Sequence, residues 1–168
     1  MLSSGFGEAA FVEEVDGVIF KKEFVAAIKG AQKVRMTEHS WGGEGLWSGP
    51  EVVYKAAELT AEVKAKLLAA VEGMATEPLA EPKRCNQPHH SIEFTDAAGK
   101  TSVMEVCFLC SQIRWPGMTA AKWPADVFPT LKEFLEKEGF QAERDWKALA
   151  VEAMAKKKAA AEAEESKR

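Results

Sequence analysis

The sequence predicts an α+β fold: a small antiparallel sheet of about four strands packed on helices, with a C-terminal helical extension. Three observations predict it. Segments with helical spacing alternate along the chain with segments of period two, as where the Phe20 to Ala31 stretch gives way to KVRMTEHS. Two alternating segments, HHSIEFTD and TSVMEVCFLC, flank the turn region AAGK and read as a hairpin. After Met154 nothing larger than alanine is offered for burial, so AKKKAAAEAEESKR reads as a solvated helical extension or a frayed tail.

The 168 residues suit one domain. Residues 1–142 are expected to form it, with a Cys/His hairpin at 85–111, and residues 143–168 to form a C-terminal helix and a solvated Ala/Glu/Lys tail. A formal net charge of −4 argues against a nucleic-acid binder, whose footprint is a basic face. No apolar run approaches the ~18 residues of a membrane span. The N-terminal MLSSGFGEAAF lacks the basic start and apolar stretch of a secretory signal.

In order, Phe20, Phe24, Ala27, Ile28 and Ala31 recur at helical spacing, with Asp16-Gly17 reading as a turn before them and Gly30 as a stop. Val34 and Met36 then alternate with charged neighbours in a half-buried strand. WGGEGLWSGP, residues 41–50, holds no regular element; Trp41 and Trp47 there are expected to pack against the sheet. Its glycines superficially suggest a phosphate cradle, but it lacks the lysine and spacing of a P-loop. Residues 51–59 follow as a strand, with Val52, Tyr54 and Ala56 on one face. Thr60 can cap a helix whose stripe is Val63, Leu67, Ala70, Val71 and Met74. Pro78, Pro82 and Pro88 punctuate a connection without periodicity. Past the hairpin, Val127, Phe128, Leu131, Phe134 and Leu135 mark a helix stopped by Gly139, with Phe140 placed to pack back onto it. Trp146, Leu149, Ala150, Ala153 and Met154 share a face of the last helix.

All three cysteines and two of the three histidines lie between residues 85 and 110. Asp96 and Gly99 suit a three-residue hairpin loop, a type I turn followed by a left-handed glycine. That loop pairs Asp96 with Lys100, Ile92 with Met104 and His90 with Val106. One face then carries His90, Ile92, Phe94, Met104, Val106 and Phe108; the other carries His89, Ser91, Glu93 and Cys107. Cys85 arrives beside Cys110 at the open end. Ideal pleating sends Cys107 and Cys110 to opposite sides, so a knuckle at residues 107–110 is needed for the sulfurs to meet.

The run C-N-Q-P-H-H, an alternating strand, a short turn and a second strand ending V-C-F-L-C resemble a family of small uncharacterised, largely bacterial proteins. Its members are similar in their Cys-x-x-Pro-[Arg/His]-His start and [Ile/Val]-Cys-Phe-x-Cys finish. An aromatic near Trp47, Tyr54 on a strand and the amphipathic helix after it also resemble that family, over roughly residues 33 to 140. The matching positions are Cys85, Pro88, His90, Cys107 and Cys110, while His89 stands where arginine is common. The resemblance implies a fold and a site, and no reaction.

Three readings of these residues stay open. Cys85, His90 (or His89), Cys107 and Cys110 match the sulfur and nitrogen preference of a tetrahedral zinc site. The same sulfurs could serve redox chemistry, either through Cys107 and Cys110 or through a Cys85–Cys110 bridge that leaves one thiol. Plain packing is the third: cysteine is among the most buried residue types, and His90 on the apolar face suits a core histidine. His39 with Glu38 could join a site or simply end a solvated strand. A different class is a non-catalytic interaction protein, docking on another protein through its C-terminal helix and the 41–50 loop. Three cysteines suit a reducing compartment, although members of the resembling family are sometimes exported.

Overall fold

The computed structural model describes residues 6–42, 51–81, 83–85 and 87–167, with residues 6–15 as backbone alone. In chain order these residues form α1 (Phe6–Gly30), β1 (Ala31–His39), β2 (Val53–Glu58), α2 (Ala61–Gly73), β3 (His90–Asp96), β4 (Thr101–Cys107), β5 (Gln112–Arg114), α3 (Val127–Lys137) and α4 (Trp146–Glu165). The strands make one antiparallel sheet in the order β2-β1-β3-β4-β5. The α+β class and the C-terminal helix are therefore as expected. The strand number is not: β5 is a fifth strand, and its three residues QIR carry too short a pattern to stand out from a loop.

Pairing across the sheet sets Val34 beside Phe94 and Met36 beside Ile92, which in turn faces Met104. These side chains fill one face, and α1, α2 and α3 cover it. Phe20, Phe24 and Ile28 of α1, Leu67 and Val71 of α2, and Leu131 and Phe134 of α3 are all buried there. Phe24, Phe94 and Trp115 meet with ring centroids about 6 Å apart, and the Trp115 indole N–H donates to Ser102 Oγ at 2.6 Å.

Local signals hold where the sequence is explicit. Thr60 Oγ1 accepts from the Val63 N–H at 3.3 Å and opens α2. Gly139, at φ +76°, follows the last turn of α3, and the Phe140 N–H donates back to the Leu135 carbonyl at 2.9 Å while its ring is buried. Asp145 Oδ1 accepts from the Ala148 N–H at 2.9 Å and starts α4. Beyond Met154 that helix is exposed through Lys167, with Glu152–Lys156 and Lys158–Glu162 ion pairs one turn apart.

Two expectations are corrected. The first helix does not begin after a turn at Asp16-Gly17; α1 runs through both residues. A Cβ at Gly17 would stand 2.2 Å from the Thr76 carbonyl oxygen, so glycine serves close packing against the chain after α2 rather than a turn. Asp16 Oδ1 instead accepts from the Ala121 N–H at 3.2 Å. Glu38 and His39 do not end a solvated strand either. β1 is interior, with β2 and β3 on its two edges, and residues 36–40 are all buried. Trp47 and most of the 41–50 loop lie outside the described residues.

Candidate functional site

The site is built outward from the closed end of the hairpin. Asp96 Oδ1 accepts from the N–H groups of Ala98 and Lys100, both at 2.9 Å, and the Gly99 N–H donates to the Asp96 carbonyl at 3.0 Å. Gly99 sits at φ +81°, a conformation that costs a residue with a Cβ but not glycine. This loop locks the expected register, with Ile92 opposite Met104 and His90 opposite Val106. It therefore fixes which residues reach the open end together.

At that end β4 stops at Cys107 and the chain turns through residues 108–111 before β5 pairs Gln112 back onto Cys107. Ser111 takes φ +53°, an uncommon conformation for a residue with a side chain, and its carbonyl accepts from the Trp123 indole N–H at 3.2 Å. This is the knuckle the cysteine spacing demands. Gln112 Nε2 donates to the Lys83 carbonyl at 2.9 Å, which ties the proline-rich connection to the same corner two residues before Cys85.

The three sulfurs converge. The Sγ atoms of Cys85, Cys107 and Cys110 all lie within 4.8 Å of one another, with Cys85 half-buried and the other two buried. Cys85 and Cys110 are at disulfide-bonding distance, their Cα atoms 5.6 Å apart across 25 residues of sequence, while Cys107 holds a free thiol. Such a cluster can act in two ways. As three thiolates it can ligate a metal ion, and as one disulfide beside one thiol it can undergo exchange.

The histidines take other positions. His90 is buried, with Nε2 at 2.8 Å from the Gln141 carbonyl, so that nitrogen carries the proton and donates. Its ring meets the edges of Phe108 at 5.1 Å and Trp146 at 5.5 Å. Burial pushes its pKa down to about 4, aided by the nearby charges of His89, His39 and Arg144 and opposed by the Gln141 bond. His89 stacks face to face on Trp146, centroids 4.2 Å apart and planes 7° from parallel. His39, also buried, lies with Nδ1 at 2.9 Å from the Ser40 carbonyl and pairs with the Glu51 carboxylate.

The partners of Glu38 at this corner have no signature in the sequence. Glu38 is 0% exposed, pairs with Arg144 and accepts from the Gln141 N–H at 3.3 Å. The segment from Gln141 to Trp146 thus folds over the sheet end, binding Glu38 and His90 from outside. It leaves a pocket of about 270 Å³ whose walls include His89, His90, Phe108, Leu109, Arg144 and Trp146. A larger cleft of about 410 Å³ between α2 and α3 is lined by neither cysteine nor histidine.

No protein-family model, curated protein or solved structure matches this chain. No helix among the described residues is long and apolar enough to cross a membrane.

Proposed function

We propose that the reduced protein is a small metal-binding domain that uses Cys85, Cys107 and Cys110 as three thiolate ligands for one thiophilic divalent ion, zinc by preference. The observation that carries this reading is the mutual approach of the three Sγ atoms to within 4.8 Å. A tetrahedral zinc with Zn–S near 2.3 Å needs sulfurs about 3.8 Å apart, a spacing inside the 4.8 Å that bounds their present separations. The fourth position would then be open to water or an outside ligand, since neither ring nitrogen of His90 joins the three sulfurs within 4.8 Å. His90 would become the fourth ligand through Nδ1, the nitrogen that the Nε2–H bond to Gln141 leaves unprotonated, only if its ring moved toward the sulfurs. The positions concerned are those of the resemblance to the Cys-x-x-Pro-[Arg/His]-His family, which would make the site a shared feature of that family.

The Cα separation of 5.6 Å between Cys85 and Cys110 favours a second reading in an oxidising compartment, a structural disulfide beside a free thiol. One molecule cannot hold both at once, because a metal needs the thiolates that a disulfide consumes. Zinc titration of the fully reduced protein distinguishes them. One equivalent should bind and raise the melting temperature, and a Ser substitution at any of the three cysteines should weaken binding strongly. Reduced protein that takes up no zinc, and melts identically with and without a chelator, would leave the disulfide reading.

A further inference from the structure

We infer that in the oxidised, metal-free chain the cluster is a disulfide relay, in which Cys107 displaces Cys85 from Cys110 and so presents a reactive thiol at Cys85. Three observations combine. The free thiol, Cys107, is buried at 1% exposure, where outside reagents do not meet it. The disulfide partner Cys85 is the one cysteine of the three that is only half-buried. And the Cys107 sulfur already lies within 4.8 Å of both bonded sulfurs, close enough for attack after a change of rotamer.

The step balances without any co-reactant. Cys107 loses its thiol proton to solvent and attacks Cys110 Sγ as the thiolate; the Cys107–Cys110 bond forms, the Cys85–Cys110 bond breaks, and Cys85 leaves as the thiolate, which takes up a proton in turn. One disulfide and one thiol are present before and after, so nothing is oxidised or reduced overall. Cys107 and Cys110 are joined by Phe108 and Leu109, the latter 59% exposed, so the new bond closes a short turn between two buried residues. Cys85 leaves on the connection from α2, held to this corner by the Gln112–Lys83 hydrogen bond. The freed Cys85 thiolate can then attack a small outside disulfide: a Cys85–sulfur bond forms, the outside S–S bond breaks, and one small thiolate departs. The substrate class is thus a low-molecular-weight disulfide, met at half-buried Cys85 and left there as a mixed disulfide while the two buried cysteines stay bonded to each other.

This inference concerns the oxidised chain and is independent of the metal reading, which concerns the reduced one. The test starts from full-length protein oxidised to one disulfide with glutathione disulfide and freed of metal by a chelator. Iodoacetamide is added under native conditions, and acid-quenched samples are mapped by mass spectrometry. At time zero the bond should be Cys85–Cys110. With time the alkyl group should accumulate on Cys85 as Cys107–Cys110 forms, at least about tenfold ahead of alkylation at Cys107. The Cys107→Ser variant, nearly isosteric, should keep its Cys85–Cys110 bond and resist alkylation. Label on Cys107 with Cys85–Cys110 intact would overturn the relay. So would no label at all, a time-zero map holding only Cys107–Cys110, or equal labelling of Cys85 in the Cys107→Ser variant. None of these results bears on zinc uptake by reduced protein, so the two ideas fail separately.

Discussion

At the closed end of the β3–β4 hairpin, the contacts that set the geometry lie between Asp96 and Lys100. At the open end they come from far along the chain: Cys85 reaches Cys110, Gln112 reaches Lys83, His90 reaches Gln141 and Glu38 reaches Arg144. A local loop determines register cheaply, because its few residues lose little entropy in closing. The open end has no such device. There, strand ends that would otherwise fray are held by cross-links and buried polar pairs, and these are the groups with chemistry to offer. The same two strands thus carry a conformational constraint at one end and a candidate reactive site at the other.

The largest expected effect lies at the open end. In the oxidised protein, Cys110→Ser removes a cross-link spanning 25 residues. The loss should be about 3.5 kcal/mol by the chain-entropy argument. Urea unfolding with and without reductant checks it: the wild type should weaken in reductant, whereas the variant should be indifferent. Equal curves for the wild type would mean that the bond does not form and that packing alone holds the corner.

Next is His90. Its folded pKa of about 4 lies below the ordinary 6.5, because burial disfavours the charged ring. The unfolded chain therefore takes up a proton near pH 6.5 that the folded chain accepts only near pH 4. Stability should fall as pH drops through that window, by about 3 kcal/mol at most, and level off below it. His90→Phe should flatten this part of the profile. An assigned His90 signal titrating near 6.5 in the native wild type would show that the ring is not sealed under Trp146.

A smaller effect belongs to the closed end. Gly99→Ala places a Cβ at φ +81° and should cost about 1 kcal/mol, while leaving the reactivity of the cysteines unchanged. A change in thiol labelling in that variant would show that the two ends are coupled through register. The smallest effect is at the tail. Deleting residues 155–168, which present no buried side chain through Lys167, should move the melting temperature by less than about 2 °C. A larger drop would mean that α4 helps hold Trp146 over the open end.

The same contrast explains what could be read from the sequence. The hairpin register, the Thr60 cap and the Gly139 stop follow from residues adjacent in the chain, and each is found where its signal stands. The convergence of three sulfurs was legible as a requirement of spacing, but its means was not, since nothing marks Ser111 as a residue that would adopt φ +53°. Asp16-Gly17 misled because a turn signal and a close-packing requirement use the same dipeptide. Arg144 and Gln141 escaped notice because the Glu38 they bind lies about a hundred residues away in the chain. A buried ion pair has no periodicity.

The most direct test of the central claim, that three sulfurs at the open end form one metal site, is cobalt(II) titration of the reduced protein in place of zinc. Thiolate-to-cobalt charge transfer absorbs in the near ultraviolet and grows with the number of sulfurs bound. Saturation at one equivalent should be seen, with about a third of the intensity lost on replacing any one of Cys85, Cys107 or Cys110 by serine. No charge-transfer band, or one that is indifferent to Cys107→Ser, would contradict a three-sulfur site.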